Sequence, residues 1–447
     1  MNSFSSMAKR LIFADESEKQ VFMKFKYALE DRPPLYENLL FGLQWLAVSL
    51  PGIIIIGKVL GAMDPAGEIL YLQKVFAVSG LAMLIQVFWG HRLPLVIGPA
   101  TVLLIGILAA QSSSPAAIYS SIAISGITLA LLAITGLFAS LQSLFTPRVV
   151  AVILLLVAFT MTPTIMQLII TGPGSSPGQL LAFAFIFILL MFIGQRYLTG
   201  LFKSLLILLA MIGGSLGYFL VNPAWLLAAG AGKPAVISSF VHNLNSSLVL
   251  EPGVLIAFLL CFLGLSINDL GSIQAVGSFL QADKMPGRIT RGVAATGAAN
   301  ILSGFLGVIG PVNFSFSPGI IASTGCAARR SLVPTSLALL LLAFLPRVLF
   351  YLSFIPSVVI GTVLLYIMCT QVAAGLGTAF DALQELGEPR FDNLLVLGLP
   401  ILAGVIVAFL PPSVTATFPT TLQPVLGNGF VVGIVLALLL EHVVFRK

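Results

Sequence analysis

Charged residues are scarce in this sequence. Only 22 basic and 16 acidic residues occur among 447, so that 9% of the chain is charged and 58% is hydrophobic. Soluble domains carry roughly 25% charged residues. The composition therefore excludes an ordinary soluble enzyme, a disordered protein and a nucleic-acid-binding protein. The net charge of +6 does not change this conclusion, because the basic residues lie in short stretches between apolar runs.

Cysteine and histidine are also rare, with three residues of each. Cys261, Cys326 and Cys369 lie in or beside apolar runs without the spacing of a metal site, and we interpret them as packing residues. His91 and His242 lie in predicted loops, and no nucleophile–base pair is recognisable. We therefore expect neither an enzyme nor a cofactor, apart from H⁺ or Na⁺ as a coupling ion.

Long apolar runs are abundant. A helix needs about 20 mostly apolar residues to cross a bilayer. The clear candidates are 39–60, 70–88, 118–137, 149–170, 180–193, 205–220, 255–279, 332–345, 356–369, 394–409 and 425–443, and the weaker ones are 94–109, 289–306 and 311–322. The sequence thus predicts an all-α polytopic membrane protein with 14 transmembrane segments.

The distribution of basic residues predicts the orientation. Residues 1–38 are polar, lack the apolar centre of a signal peptide, and are expected to form a cytoplasmic tail. With this tail inside, 18 of the 22 basic residues fall on the cytoplasmic side and 4 outside. This asymmetry satisfies the positive-inside rule. We expect a multi-pass protein of the inner (plasma) membrane, surrounded by lipid, with both termini in the cytoplasm.

Segments 3 and 10 share an unusual pattern. Residues 90–101 read GHRLPLVIGPAT, and residues 307–319 read GVIGPVNFSFSPG, so both begin G-x-x-x-P. Each is the third segment of its half if the chain divides into segments 1–7 and 8–14. Seven spans per half require the second half to be inverted, and the pattern therefore predicts a 7+7 inverted repeat.

Glycine and proline interrupt both of these segments. Irregular backbone persists in a membrane only where it is buried in protein or lines a cavity, and paired interruptions indicate a substrate site near the midplane. We expect residues 95–98 and 312–316 to be extended and to pair as strands. Helices that start after Pro99 and Pro318 would direct their positive ends toward the substrate. The alternative is that these residues only kink ordinary spans.

Asp269 is the only carboxylate predicted deep within a span. A central charge costs roughly 2.5–3.5 kcal/mol on the insertion scale, which makes Asp269 a functional candidate. It is expected to bind the coupling ion or a substrate; the alternative is a bond to a neighbouring helix end or hydroxyl. Asn268 lies about 100° away around the helix, so both side chains can border one cavity. Ser272 shares a helix face with each of them.

Other polar and aromatic side chains lie in the predicted spans, Asn300 and Asn313 among them. Serine and threonine in membrane helices mostly bond to backbone or to other helices, and phenylalanine commonly packs in the core. An aromatic face at the break in segment 10 is nevertheless suited to stacking a flat ring. The candidate substrate-binding residues are Gln44, Thr101, Asn268, Ser272, Phe314, Ser315, Phe316 and Ser317, and the ion-coupling candidates are Asp269 and Thr296.

Several motifs together resemble the nucleobase–ascorbate transporter family, also called the xanthine/uracil permeases. They are YALEDRPP at 27–34, LFGLQW at 40–45, NDLGSIQAVG at 268–277, SGFLG at 303–307 and FSPG at 316–319. The resemblance spans nearly the whole chain. It implies a core domain of segments 1–4 and 8–11 (39–145 and 250–350) and a gate domain of segments 5–7 and 12–14 (146–235 and 351–447). It also implies ion-coupled uptake of a purine or pyrimidine base, and a homodimer formed through the gate domain.

The chain departs from the family pattern at the positions expected to bind substrate. The family's segment 8 glutamate, which holds the base, matches Asn268, and Asp269 follows one residue later. The segment 9 aspartate matches Thr296. Phe316 and Ser317 stand where the segment 10 signature has Glu or Gln and then Asn. These differences concern the substrate and the coupling ion rather than the fold.

Three functions are compatible with these features. The first is a secondary transporter that imports a nucleobase such as xanthine or uracil, or a similar flat heterocycle, by H⁺ or Na⁺ symport with alternating access. The second is an anion or carboxylate transporter on the same fold, because two helix N-termini without acidic residues favour an anion. The third is a membrane sensor that does not transport.

Overall fold

Long apolar helices make up most of the chain, because in lipid every backbone N–H and C=O group must be paired within the protein. A computed structural model describes residues 25–64, 67–142, 144–171, 175–223, 234–315, 317–385, 391–419 and 421–445. Seven helices in these ranges are long and apolar enough to cross a membrane, or eight if one sharply bent pair counts as a span. The protein is therefore a helical, polytopic membrane protein.

Each half of the chain contains one short strand among its helices. The first half contains α1 (Leu35–Gly61), α2 (Glu68–Phe88), β1 (Ile97–Pro99), α3 (Thr101–Ala109), α4 (Pro115–Ile134), α5 (Leu137–Gln142), α6 (Pro147–Thr160), α7 (Thr162–Ile170), α8 (Pro177–Tyr197), α9 (Gly200–Ser204) and α10 (Leu206–Val221). The second half contains α11 (Pro252–Phe279), α12 (Met285–Leu306), β2 (Pro311–Asn313), α13 (Ser317–Thr324), α14 (Leu332–Ala343), α15 (Pro346–Leu352), α16 (Ser357–Glu385), α17 (Phe391–Ala408), α18 (Pro412–Thr415), α19 (Gln423–Leu426) and α20 (Gly429–Leu439).

Hydroxyl residues followed by proline set several helix starts. Ser114, Thr146 and Ser176 each precede a proline at the first helical position, where the missing N–H costs nothing. Each side-chain oxygen accepts a hydrogen bond from the backbone N–H three residues later. This capping gives a hydrogen-bond acceptor to a backbone N–H group of the first turn, which has no partner within the helix.

The structure corrects several predicted boundaries. The polar tail does not extend to residue 38, because α1 begins at Leu35. The span predicted at 149–170 corresponds to one membrane-crossing stretch, Pro147–Ile170, in which only Met161 separates α6 from α7. The span predicted at 332–345 agrees with α14, which ends at Ala343, but the chain then bends by 102° into α15, which the sequence analysis did not predict. At this bend Pro346 lacks a backbone donor and disfavours helix in Leu345, which has non-helical dihedral angles. Helix α16 extends to Glu385, well beyond the predicted end at 369.

The end of the predicted tail packs against the protein. Lys26 donates its backbone N–H to the Gly325 carbonyl at 2.8 Å, and Tyr27 forms a parallel bridge with Cys326. The side chain of Arg329 pairs with Glu30 at 2.7 Å. Residues 25–30 are therefore attached to the linker between α13 and α14.

The helices contact one another in two groups. In the first, α12 packs along α4 and α14 packs along α2, and α1 and α11 complete the set. In the second, α6 contacts α16, α17 and α20. Close backbone approach holds α4 to α12, because a Cβ atom on Gly126 would lie 2.8 Å from the Gly297 carbonyl oxygen. Small residues at such interfaces allow tight helix packing in membranes.

The two short strands pair with each other in the protein interior. They are antiparallel, with Ile97 opposite Asn313 and Pro99 opposite Pro311, and all of their residues are buried. The Phe314 N–H extends the pairing by donating to the Val96 carbonyl at 2.8 Å. Each strand overlaps by two residues the stretch expected to be extended, 95–98 or 312–316. Their pairing satisfies backbone groups that lipid would leave unpaired. As a result, the two interrupted segments meet.

Candidate functional site

A cavity of about 700 Å³ lies next to the paired strands. The residues that line it belong to α1 and α11 of the first helix group, to α6 and α16 of the second, and to α3, α8, α9, α10 and α13. Its wall is mostly apolar with a few polar groups, which is typical of small-molecule sites. The cavity is therefore the candidate functional site.

Four of the predicted substrate-binding residues line this cavity: Thr101, Asn268, Phe314 and Ser315. Thr101 begins α3, Asn268 lies within α11, and the other two follow β2. The side chains of Thr101, Asn268 and Ser315 make no hydrogen bond with the part of the chain that the structure describes. The fold thus brings polar groups from three segments to one wall of the cavity, where they are available to a ligand.

The other predicted substrate-binding residues are placed differently. Ser272 donates its hydroxyl to the carbonyls of Asn268 and Asn313, at 2.8 and 3.0 Å. Ser317 Oγ accepts from the Val96 N–H at 3.1 Å and donates to a carbonyl at 3.1 Å. Both hydroxyls form hydrogen bonds with backbone groups in or beside the strands, and neither side chain lines the cavity. Gln44 also lies outside the cavity wall, and Phe316 falls outside the described residues.

The ring of Phe314 fits against two glycines. A Cβ atom on Gly98 would lie 2.6 Å from Phe314 Cζ, and one on Gly52 would lie 3.1 Å from Cε2. Such distances leave no room for a larger residue at position 98. Glycines in β1 and α1 therefore allow this aromatic ring to form part of the cavity wall.

Asp269 is fully buried and does not line the cavity. Its Oδ1 accepts from Asn313 Nδ2 at 2.6 Å and from the Asn313 backbone N–H at 3.2 Å. Thr296, the other ion-coupling candidate, is buried on α12 near this carboxylate and accepts from Gln86 Nε2 at 3.0 Å. The rotation of about 100° between adjacent helical residues thus directs the amide of Asn268 to the cavity and the carboxylate of Asp269 into the protein.

Sequence reasoning missed the role of His91. Its ring is completely buried, and Nε2 lies 3.1 Å from Asn313 Oδ1. The partners are 222 residues apart, so no local pattern predicts their contact. The available signal was the position of His91 inside the repeated G-x-x-x-P pattern, together with the polarity of Asn313 in the matching segment.

Polar residues on the second helix group were also missed. Tyr366 donates its hydroxyl to Gln195 Oε1 at 3.1 Å, and both residues line the cavity. Ser204 Oγ lies 2.8 Å from Ser323 Oγ, which joins α9 to α13 at the cavity wall. Among the described residues that line the cavity, Lys203 is the only charged one. These positions carry no recognisable motif, because they become neighbours only when the two groups of helices pack together.

The described ranges contain no group of three or more His, Cys, Asp or Glu side chains that could hold a metal ion. The polar side chains and the Phe314 ring of the cavity wall can recognise a ligand by hydrogen bonds and by aromatic contact.

Comparison with known proteins identifies related chains. The xanthine/uracil permease model, described as Permease family, matches residues 36–413. The xanthine permease of Bacillus subtilis (strain 168) is 26% identical over 425 residues, which cover 92% of this chain and 95% of that one. The nucleobase transporter PlUacP of Paenibacillus larvae is 25% identical over 420 residues, covering 90% and 93%. The uric acid permease PucK of Bacillus subtilis (strain 168) is 24% identical over 424 residues, covering 91% and 95%.

Solved structures show the same fold. The transmembrane domain of the cyanobacterial bicarbonate transporter BicA superimposes with a TM-score of 0.59 at 14% identity, covering 86% of this chain and 98% of that one. SLC26A9 superimposes with a TM-score of 0.60 at 13% identity, covering 98% of this chain and 69% of the other. At these identities the likeness concerns the fold alone.

Proposed function

The chain belongs to the xanthine/uracil permease family, and from this premise we propose that it imports a nucleobase, such as xanthine or uracil, or a similar flat heterocycle. Members of the family are permeases and not enzymes. The names of the xanthine, uric acid and nucleobase transporters among its relatives support an oxidised purine or another nucleobase as substrate.

The convergence of Thr101, Asn268 and Ser315 beside Phe314 is the observation that carries this proposal. A nucleobase has donors and acceptors on its edge and an apolar face. The amide of Asn268 can donate one hydrogen bond and accept another, and the two hydroxyls can do the same. The Phe314 ring offers an aromatic surface to the face of the base. The proposed base therefore lies between segments 3, 8 and 10.

The proposed architecture has 14 segments in a 7+7 inverted repeat. Core domain 39–145 and 250–350 carries the strands, and gate domain 146–235 and 351–447 forms the opposite wall. The antiparallel pairing of β1 with β2 supports this symmetry, and so do the packing of α4 on α12 and of α2 on α14. Rocking of one domain against the other then opens the cavity alternately to each side.

The remaining features of the proposal concern the membrane. The basic residues support a plasma-membrane protein with both termini in the cytoplasm. A homodimer through the gate domain is proposed because α8 presents exposed apolar side chains, which suit either lipid or a second copy. These include Phe185, Ile186, Leu189 and Leu190.

Asp269 and Thr296 are proposed to carry the coupling ion. A buried carboxylate in a membrane span favours an H⁺ or Na⁺ partner over permanent isolation. Asp269 bonds to Asn313, the last residue of β2, and the cavity residues Phe314 and Ser315 follow directly. Loading of the ion would therefore act on the strand that shapes the substrate site.

Uptake into proteoliposomes tests this function. Radiolabelled xanthine, urate and uracil are offered with an inward H⁺ gradient, an inward Na⁺ gradient or no gradient. We expect at least one base to accumulate and one gradient to drive its accumulation. The proposal is wrong if no base is taken up or bound under any gradient.

A second candidate is transport of an anion or carboxylate. It is favoured by one observation: Lys203 is the only charged residue and no carboxylate is present among the described residues of the cavity wall. The same vesicles, given radiolabelled dicarboxylates and bicarbonate, separate the two candidates. Accumulation of these anions without any base would support the second, and binding of a base without accumulation would support a sensor.

A further inference from the structure

His91 lies in the loop after α2, where its backbone is tied to α12. Arg288 donates to the carbonyls of His91 and Arg92, at 3.1 and 2.9 Å, and forms an ion pair with Asp283 at 3.0 Å. The imidazole projects into the interior and is completely buried. A polar ring in this position needs partners for both of its nitrogens.

The hydrogen bonds determine which nitrogen of His91 carries the proton. The Leu93 backbone N–H donates to Nδ1 at 2.9 Å, so Nδ1 is an acceptor and bears no hydrogen. The proton is therefore on Nε2, which donates to Asn313 Oδ1 at 3.1 Å. With a hydrogen on Nε2 alone, the ring is neutral in this arrangement.

The donor from His91 determines the direction of the Asn313 amide. Because Oδ1 receives this hydrogen bond, Nδ2 faces the Asp269 carboxylate at 2.6 Å. An Asn313 amide rotated by 180° would occupy the same space, but its oxygen would face Asp269 and its NH₂ group would face the Nε2–H of His91. Both new contacts would be repulsive. The series of hydrogen bonds from His91 through Asn313 to Asp269 is therefore favourable in only one orientation of the Asn313 amide.

We propose that His91 is a positioning residue, which orients the Asn313 amide and thereby sets how readily Asp269 takes up a proton. The inference deepens the proposed function, because Asp269 is the proposed ion-coupling residue. Among the described residues, Arg288 is the charged group that acts on His91, whereas the polar groups of Thr296 and Asn313 act on Asp269.

Two substitutions at position 91 separate the roles of the ring nitrogens. In His91→Gln the side-chain NH₂ reaches the position of Nε2 and still donates to Asn313. In His91→Asn the oxygen mimics Nδ1 and still accepts from Leu93, but the side chain is too short to reach Asn313. Both variants place an uncharged amide in the same loop, so a purely structural role predicts similar behaviour.

Infrared titration of the reconstituted protein measures the protonation of Asp269 without any substrate. The carboxylic acid band of Asp269 is assigned by its loss in Asp269→Asn. Loss of an oriented donor to a carboxylate disfavours its charged form. We expect the midpoint of the band to rise by about one to two pH units in His91→Asn and to stay near wild type in His91→Gln. Coincident midpoints in all three proteins, or a band that does not titrate, would overturn the proposal.

A second variant guards against failure of His91→Asn to fold. Asn313→Ala removes the amide through which His91 acts, and it should raise the midpoint by itself. In that background His91→Asn or His91→Leu, which both lack a donor to position 313, should cause no further rise, and a further rise would contradict action through Asn313. Failure of nucleobase uptake in the wild type would refute the proposed function and leave this titration result standing.

Discussion

Gly98 of β1 lies against the ring of Phe314, which follows β2, and a Cβ atom at position 98 would lie only 2.6 Å from Phe314 Cζ. The contact joins the two interrupted segments at the wall of the cavity. The shape of the candidate substrate site therefore depends on the absence of a side chain in one strand and on an aromatic ring after the other.

Gly98→Ala tests this relationship. The added methyl group must displace the Phe314 ring, and overpacking of this kind costs about 1–3 kcal/mol. We expect a lower thermal unfolding temperature and a higher KM for the transported base. Gly213→Ala is the control, because nothing lies within 4 Å of a Cβ there. In Gly98→Ala, the further change Phe314→Leu should recover stability but not KM. Unchanged stability and KM in the single variant would contradict the account.

Asn268→Ala and Ser272→Ala form a matched pair on α11. The Asn268 amide faces the cavity, and removal of its hydrogen bond to a base should raise KM about tenfold with little change in stability. The Ser272 hydroxyl instead bonds to two buried carbonyls, so its loss should lower stability by about 1–3 kcal/mol. Thermal unfolding and uptake kinetics measure both. The reverse pattern would show that the two side chains have been assigned to the wrong surroundings.

Asp269→Asn should uncouple transport. The amide has the size of the carboxylate but cannot carry a proton or the charge that attracts Na⁺. We expect binding and exchange of the base to persist, whereas accumulation driven by an ion gradient is lost. Asp381→Asn, at an exposed position on α16, is the control. Gradient-driven accumulation at the wild-type level in Asp269→Asn would remove this residue from the coupling mechanism.

Ser204 and Ser323 allow a test of domain movement, since their hydroxyls lie 2.8 Å apart across the cavity wall. The double substitution Ser204→Cys and Ser323→Cys is made in a background with Cys369→Ser, where Cys261 and Cys326 are buried. Oxidation to a disulfide should stop transport, and a reductant should restore it. Each single cysteine variant should be insensitive to oxidation. Full transport by the cross-linked protein would mean that α9 and α13 do not separate.

Much of the fold is predictable from local sequence patterns. Apolar runs mark the helices, because only paired backbone can cross lipid, and the repeated G-x-x-x-P pattern marks the segments that contain β1 and β2. The span predicted at 332–345 ends just before Pro346, but the bend of 102° there was not predicted, although the missing backbone donor of Pro346 explains it. A run of apolar residues alone does not show where a span bends.

The candidate site is only partly predictable, for geometric reasons. Helical spacing shows that Asn268 and Asp269 point about 100° apart, but not which of them faces the cavity. The directions of Ser272 and Ser317 depend on carbonyl and N–H groups of the paired strands. His91 meets its partner Asn313 from the other half of the chain. Contacts between distant segments carry no periodic signal within either one.

Cysteine protection tests the central claim, that a base binds between the two interrupted segments. Thr101→Cys and Ser315→Cys line the cavity from α3 and from the stretch after β2, and Ser246→Cys lies exposed in another loop. Each variant, in the Cys369→Ser background, is treated with a maleimide with and without the base that the protein transports. We expect the base to slow labelling at positions 101 and 315 but not at 246. Equal labelling rates with and without the base at both cavity positions would contradict the account.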